Sequence, residues 1–290
     1  MKENASGFPR FFEIQTASYC NAGCVICPHK TVSGGFPAGV MSDDLFKDII
    51  KQIGDRKTWG IRVIPYLNNE PFLDSGFVDR IKFINGGCPD CEVEVSTNLS
   101  KLDSEMQKKL EGCIIKDLRL SVFGFSEASH KKVMPGLDWN SVKCNLDCLC
   151  ANKGLRANIG QVSLVMVAYP GLGDSEIEVA REYCREHYIK FELWGFLDRA
   201  NNVSEFKNKI FKKDIRGCGQ YRPLERMHIL FNGKVILCCM DWRQQYVLGD
   251  LSVQTIEEVW NSQEYSEVRN LIYGDSDHGD ILCNKCKLAL

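Results

Sequence analysis

Three cysteines stand within eight residues near the start of the chain, in the stretch YCNAGCVICPHK. Cys20, Cys24 and Cys27 have the spacing C-x3-C-x2-C. Cysteine thiolates bind soft metals, and three on one short loop can converge on a single centre. Ordinary ferredoxin-type sites give each iron of a [4Fe–4S] cube one thiolate, so three ligands leave one iron open to something else. His29, two residues after Cys27, offers the alternative of a Cys3His zinc site.

The rest of the sequence must place this loop. The chain has 290 residues, enough for one large domain and a small appendage. Its net charge of -2, without a basic block, argues against a nucleic-acid partner. No apolar run is long enough for a membrane span, and the first residues lack the apolar core of a signal peptide, so a cytoplasmic protein is expected. In that reducing compartment, fifteen cysteines point to metal rather than to a disulfide framework.

Apolar periodicity predicts strands at 9–17, 60–67, 92–98, 117–124, 157–168 and 190–196. Helical patterns lie between them, at 42–54, 76–84, 103–112, 126–134, 139–153 and 174–187. Ser42 caps the first of these, and Asp43 and Asp44 suit the positive end of its dipole. Six strands separated by helices imply parallel β/α units, with the active site where the strands' C-terminal ends emerge. The three-cysteine loop follows the first strand, so it lies at that end. After about residue 205 the alternation stops. A β-hairpin is expected over 226–241, turning at Asn232-Gly233, and a helix over 255–274.

A C-x3-C-x2-C loop after the first strand of a β/α chain resembles the signature of the radical S-adenosylmethionine (radical SAM) enzymes. The resemblance implies a (β/α)6 partial TIM barrel, in agreement with the six strands. It implies a [4Fe–4S] cluster held by Cys20, Cys24 and Cys27, with its open iron binding S-adenosylmethionine. Tyr19 and Ile26 fit the aromatic and apolar positions of that loop. The family's GGEP-like motif corresponds to NNEP here, Asn68, Asn69, Glu70 and Pro71. The two glycines are replaced by asparagines, which tolerate a left-handed backbone better than most residues. Asn98, ending the third strand, and Ser121, on the fourth, fall where the family contacts the cofactor; each could equally satisfy local backbone.

The C-terminal part resembles the start of the SPASM pattern: Cys218, fourteen residues, Gly233, four residues, Cys238, then Cys283-x2-Cys286. It is similar to the shortened form called the twitch domain. The resemblance implies residues 1–204 as a radical SAM core and 205–290 as a twitch/SPASM-like region. There Cys218, Cys238, Cys283 and Cys286 would hold an auxiliary [4Fe–4S] cluster; structural zinc is the alternative for four cysteines. Cys239 adjoins Cys238, and on a strand the two point to opposite sides. It is read as a core thiol or a hydrogen-atom donor. Cys88 and Cys91 form a further C-x2-C, read as structural, and Cys144, Cys148 and Cys150 lie on a helix. Asp198 and Arg199, in a stretch resembling the RAGN of SPASM-type proteins, are expected at the barrel mouth, where Arg199 could clamp a substrate or close a salt bridge. Arg119, Glu192 and Asp241 are weaker candidates for the same cavity.

The resemblance implies a small-molecule substrate, a sugar or aminocyclitol, oxidised at a C–H(OH) group as in twitch-domain dehydrogenases of aminoglycoside biosynthesis. It implies an external electron donor such as flavodoxin or ferredoxin. Epimerisation with Cys239 as hydrogen-atom donor, and modification of a ribosomal peptide, are the alternatives. Many peptide modifiers carry an extra N-terminal peptide-binding domain, and the first cysteines come by residue 20 here, which weakens the peptide reading without excluding it.

Overall fold

A computed structural model describes residues 7–57, 59–203, 210–274 and 280–290. The expected boundary at 204/205 lies outside the described residues. The strands are β1 (Phe11–Ile14), β2 (Arg62–Ile64), β3 (Glu92–Thr97), β4 (Ile115–Ser121), β5 (Ile159–Ala168), β6 (Lys190–Gly195), β7 (Arg226–Ile229), β8 (Lys234–Ile236) and β9 (Val247–Asp250). The helices are α1 (His29–Val32), α2 (Asp43–Asp55), α3 (Phe77–Gly87), α4 (Ser104–Leu110), α5 (Glu127–Val133), α6 (Trp139–Ala151), α7 (Lys153–Arg156), α8 (Asp174–Glu186), α9 (Arg222–Glu225), α10 (Ile256–Trp260) and α11 (Gln263–Tyr273).

β1 to β6 pair in chain order and all in parallel, forming the (β/α)6 partial barrel. Alternation along each strand separates two faces. Phe12 and Ile14 of β1, Val93 and Val95 of β3, and Leu118 and Leu120 of β4 are buried in one core with Ile49 and Ile50 of α2 and Ile81 of α3. The intervening residues Glu13, Glu94, Asp117 and Arg119 belong to the other face. There Arg62 donates to Glu92 (2.5 Å), Glu94 (2.9 Å) and Asp117 (2.8 Å), and Tyr66 donates to Glu94 (3.0 Å). Capping follows the sequence: the Ser42 side chain accepts from the Leu45 N–H, and Phe46, Ile49, Ile50 and Ile53 form the buried face of α2.

The C-terminal hairpin does not form a separate sheet. β7 runs parallel to β1, with Phe11 opposite Arg226 and Glu13 opposite His228. β8 and β9 extend the same sheet antiparallel, giving the order β6-β5-β4-β3-β2-β1-β7-β8-β9. The hairpin turns at Gly233, whose φ of +87° and lack of a Cβ are both required, since a Cβ would lie 3.1 Å from Asp250 Oδ1.

Several expected elements differ. The hairpin strands are shorter than 226–241, because Cys238 and Cys239 lie beyond the end of β8. The helix expected at 255–274 is two, α10 and α11, since the Ser262 side chain caps a new helix by accepting from the Tyr265 N–H. The helix expected at 139–153 breaks at Asn152, which caps α7 through the Leu155 N–H.

Candidate active site

The three-cysteine loop leaves β1 and is tied to three neighbouring strand and helix ends. The Glu70 N–H donates to the Tyr19 carbonyl (2.8 Å), Gly23 N–H to Pro135 (2.7 Å) and Val25 N–H to Val133 (3.0 Å). Asn98 Nδ2 donates to Asn21 Oδ1 (3.0 Å), and Asn21 Nδ2 donates to Ser100 Oγ (2.8 Å). Asn98 Oδ1 in turn accepts from the Ser100 N–H (3.0 Å) and hydroxyl (2.6 Å). Asn98 therefore clamps the cysteine loop to the end of β3.

Burial pushes the Cys20 thiol up to about 12, the carboxylate of Glu70 and the neighbouring Cys27 adding to the effect. Burial and the two other thiols likewise raise Cys24. Burial raises Cys27 as well, opposed by the His29 N–H and by the charge of Arg199. Such thiols ionise together only when a cation compensates them. His29 does not complete a zinc site with them: its Nε2 faces the Ser18 carbonyl at 3.2 Å, and its ring meets Trp242 edge-on at 6.2 Å. A tetrahedral zinc with Zn–S of about 2.3 Å would hold sulfurs about 3.8 Å apart. Among the described residues, only His228, Cys238 and Cys239 form a set of three metal-ligating atoms mutually within 4.8 Å. Cys20, Cys24 and Cys27 do not form such a set.

The NNEP segment leaves β2 beside this loop. Neither asparagine adopts the left-handed backbone expected of them; among the described residues the positive φ values lie elsewhere. Asn69 instead turns its Oδ1 back to the Leu67 N–H (3.0 Å), which stabilises an ordinary turn. Its Nδ2 is buried without a partner, a donor free for a ligand. Glu70 is 2% exposed. Its carboxylate accepts from Thr97 Oγ1 (2.7 Å), the Asn98 N–H (2.7 Å) and the Phe72 N–H (3.3 Å). Burial pushes its pKa up to about 7 against those three donors. Ser121 Oγ, at the end of β4, lies 3.2 Å from Ser96 Oγ.

A cavity of about 260 Å³ opens beside the loop, lined by Tyr19, Cys20, His29, Asn68, Phe231 and Trp242 among others. Among the described residues its lining contains no lysine or arginine. Trp242 Nε1 is buried without a partner. Asp241 also borders it, but its carboxylate accepts from the Gln245 (3.0 Å) and Tyr246 (2.8 Å) N–H groups. Arg119 and Glu192 are engaged elsewhere: Arg119 pairs with Glu94, and Glu192 with Lys190 (2.9 Å).

Arg199 follows β6 on a turn in which Arg199, Ala200 and Asn201 all have positive φ, 55°, 55° and 64°. Left-handed conformations cost L-residues about 1–2 kcal/mol each, so the turn needs external support. Asn201 supplies it by bonding both ways to the Ile210 backbone (2.9 and 3.0 Å), and Asn202 Nδ2 donates to the Arg199 carbonyl (2.8 Å). The Asp198 side chain is buried with Oδ2 unpartnered.

Cys218, Cys238, Cys283 and Cys286 line one cavity together with Arg222 and Met240. Backbone bonds bring the two chain segments together: Gly219 N–H donates to Leu288 (2.9 Å) and Arg216 N–H to Leu290 (2.7 Å). The Leu288 N–H also donates to Cys286 Sγ (3.4 Å). Burial and the neighbouring thiols push Cys283 up to about 12. Cys238 is lowered instead, by its hydrogen bond with Cys239, with Arg222 also helping against burial. The sulfurs of Cys238 and Cys239 lie within 4.8 Å of one another, which strand alternation would not give, because the chain has already left β8. Arg222, His228 and Glu13 around this pair carried no signal in the sequence, since the sheet that gathers them joins distant segments. Cys88 and Cys91 are joined by a disulfide.

Comparison with known proteins agrees with this geometry. The Radical SAM superfamily profile matches residues 14–184, and that of the SPASM iron-sulfur cluster-binding domain matches 218–287. A GTP 3′,8-cyclase of Sulfurovum sp. (strain NBC37-1) is 24% identical over 207 residues, 68% of this chain. The chain spans 58% of that protein's length. Among solved structures, BtrN in complex with AdoMet and 2-DOIA is similar with a TM-score of 0.63 and 17% identity, covering 99% of this chain and 94% of that one. Streptococcus suis SuiB bound to its precursor peptide SuiA gives a TM-score of 0.73 at 13% identity, covering 98% and 71%. Among the described residues no helix is long and apolar enough to cross a membrane. The chain belongs to the radical SAM superfamily, as a member with a SPASM-type region, and its cofactors are S-adenosylmethionine, a [4Fe–4S] cluster and an auxiliary [4Fe–4S] cluster.

Proposed function

We propose that this enzyme is a cytoplasmic dehydrogenase that oxidises a C–H(OH) group of a small hydroxylated molecule, a sugar or aminocyclitol, to a ketone. The observation that carries the reading is the cavity beside Cys20. It presents amide, hydroxyl and indole groups with aromatic walls and, among the described residues, no lysine or arginine. Burial keeps His29 below its ordinary pKa, and so neutral. Such a lining suits a neutral or amine-bearing polyol, which bonds to amides and stacks on rings. It does not suit a polyanion such as GTP, the substrate named for the cyclase relative.

In this reading residues 1–204 form the radical core and 205–290 the auxiliary part. Cys20, Cys24 and Cys27 hold the first cluster, and Cys218, Cys238, Cys283 and Cys286 hold the second. When bound, the first cluster and S-adenosylmethionine supply hydrogen-atom abstraction, and the second cluster supplies a one-electron acceptor. Tyr19, Asn68, Asn69, Glu70, Asn98 and Ser121 frame the cofactor. Glu70 has about four lone-pair sites and three donors on them, so one site on Oε2 remains for an ammonium group. The unpartnered Asn69 Nδ2 offers a donor beside it. Arg199 and Trp242 orient the substrate from the barrel mouth and the cavity wall. An external electron donor such as flavodoxin or ferredoxin completes the reaction. Oxidation of a carbinol removes a hydrogen atom, a proton and an electron, so it needs no thiol hydrogen.

The test is turnover of reconstituted enzyme with candidate aminocyclitols and sugars in heavy water. The product should weigh two units less than the substrate, carry no new carbon-bound deuterium, and still form with Cys239→Ala. A product of unchanged mass in ordinary water, deuterated at one carbon in heavy water and lost in that variant, would establish epimerisation with Cys239 as donor instead.

A further inference from the structure

Arg222 begins α9, directly after Tyr221, whose left-handed backbone (φ 50°) turns the chain back towards the four-cysteine cavity. Its Nη1 donates to Cys238 Sγ at 3.8 Å. Its Nε is buried and has no partner. The side chain borders the cavity shared by Cys218, Cys238, Cys283 and Cys286. Among the described residues no carboxylate lies within ion-pair distance of it. The nearest acidic group on its side of the sheet, Glu13, is already engaged by Arg226 (3.2 Å) and His228 (3.5 Å). A guanidinium cannot shed its proton in a protein, so a largely buried one must find a counter-charge. The charge of Glu13 reaches it from beyond ion-pair distance, and the stronger negative partners are the sulfurs of Cys239 and Cys238, the latter in direct hydrogen-bond contact.

We propose that Arg222 is the counter-ion of the auxiliary cluster and sets its reduction potential. A fixed positive charge and an N–H···S bond favour the more negative, reduced state of an iron–sulfur cluster, and hydrogen bonds to sulfur are an established lever on that potential. The partially dry surroundings strengthen the effect, because charge interactions are weakly screened there. The guanidinium reaches Cys238 through Nη1 while Nε stays free for the cavity. This makes the second cluster an electron acceptor by construction rather than a structural staple. The proposal rests on the assignment of the four ligands but is independent of whether the reaction is oxidation or epimerisation.

The experiment is an EPR-monitored redox titration of the holoenzyme, with iron content measured on the same samples. Arg222→Gln should move the auxiliary cluster's reduction equilibrium at least tenfold towards the oxidised form, which for one electron is about 59 mV. Iron content and the potential of the first cluster should stay unchanged. An unchanged auxiliary potential at full iron content overturns the proposal. If Arg222→Gln loses the second cluster, Arg222→Lys decides: retention of the charge should keep the equilibrium within threefold of wild type, and a tenfold fall refutes the role of charge. An incorrect ligand assignment gives a different result, full iron content in Cys218→Ser.

Discussion

Glu70 offers the sharpest test of how the cofactor end of the barrel is built. Its carboxylate joins the exit of β2 to the exit of β3 through two short hydrogen bonds, from Thr97 Oγ1 and the Asn98 N–H, both 2.7 Å, and a longer one from Phe72 N–H at 3.3 Å. Truncation to alanine leaves those donors buried and unpaired, at about 1–3 kcal/mol for each strong one. The long bond adds little. The sum is roughly 2–6 kcal/mol, which against an unfolding entropy of roughly 0.6 kcal/mol/K for a chain of this size lowers the melting temperature by roughly 3–10 °C. Glu70→Gln keeps one accepting oxygen but turns an NH2 towards a donor, so about 1–3 kcal/mol is expected. The assay is thermal unfolding of metal-free protein, in which no cofactor contact contributes. Melting of metal-free Glu70→Ala at the wild-type temperature would refute the reasoning and return Glu70 to a purely ligand-binding role.

Three further outcomes are expected. Reconstituted wild-type protein should hold about eight irons, and replacing Cys20, Cys24 and Cys27 by alanine should halve that and abolish cleavage of S-adenosylmethionine; zinc as the dominant metal in anaerobic preparations would contradict it. Asp74→Ala should cost about 3–5 kcal/mol in urea unfolding, because it strips the buried Arg80 of its 2.9 Å partner; a loss below about 1 kcal/mol would show that exposed Asp43 suffices. Burial alone would raise the Glu176 carboxyl, but hydrogen bonds from Ser126, Ser129 and the Phe125 N–H outweigh it and hold the carboxyl below its ordinary 4.5. Its stabilisation is therefore present above 4.5 and lost as pH falls through the depressed folded value. Glu176→Gln should flatten the acid limb of a stability–pH profile and leave a wild-type slope near neutrality.

Local chemistry was legible in the sequence, and long-range assembly was not. The six strands and their helices follow from apolar periodicity, which each segment carries by itself. The C-x3-C-x2-C loop was equally plain, because its ligands lie within eight residues. By contrast, the pairing of β7 with β1 depends on an edge more than two hundred residues away, and no hairpin signal names its partner. β9 was missed because its four residues have no alternation to recognise. That the Asn98 side chain also ties Asn21 and Ser100 to the end of β3 was not legible, because composition cannot reveal a hydrogen-bond network between distant loops. The left-handed turn at Arg199 carries no glycine, so only tertiary support from Asn201 and Asn202 makes it possible.

The continuous sheet has a consequence for how the enzyme matures. β1 carries the first cysteine loop at its C-terminal end, and it is an interior strand only because β7 covers one of its sides. The chain must therefore be made past residue 229 before that side is satisfied. Until then β1 presents bare N–H and C=O groups, the kind of edge that pairs with other chains and aggregates. The two iron centres thus share one cooperative folding unit. Damage to the C-terminal cysteines would reach the first centre through the backbone ladder of β1 and β7, and a fragment ending near residue 204 would be an aggregation-prone intermediate rather than a minimal enzyme.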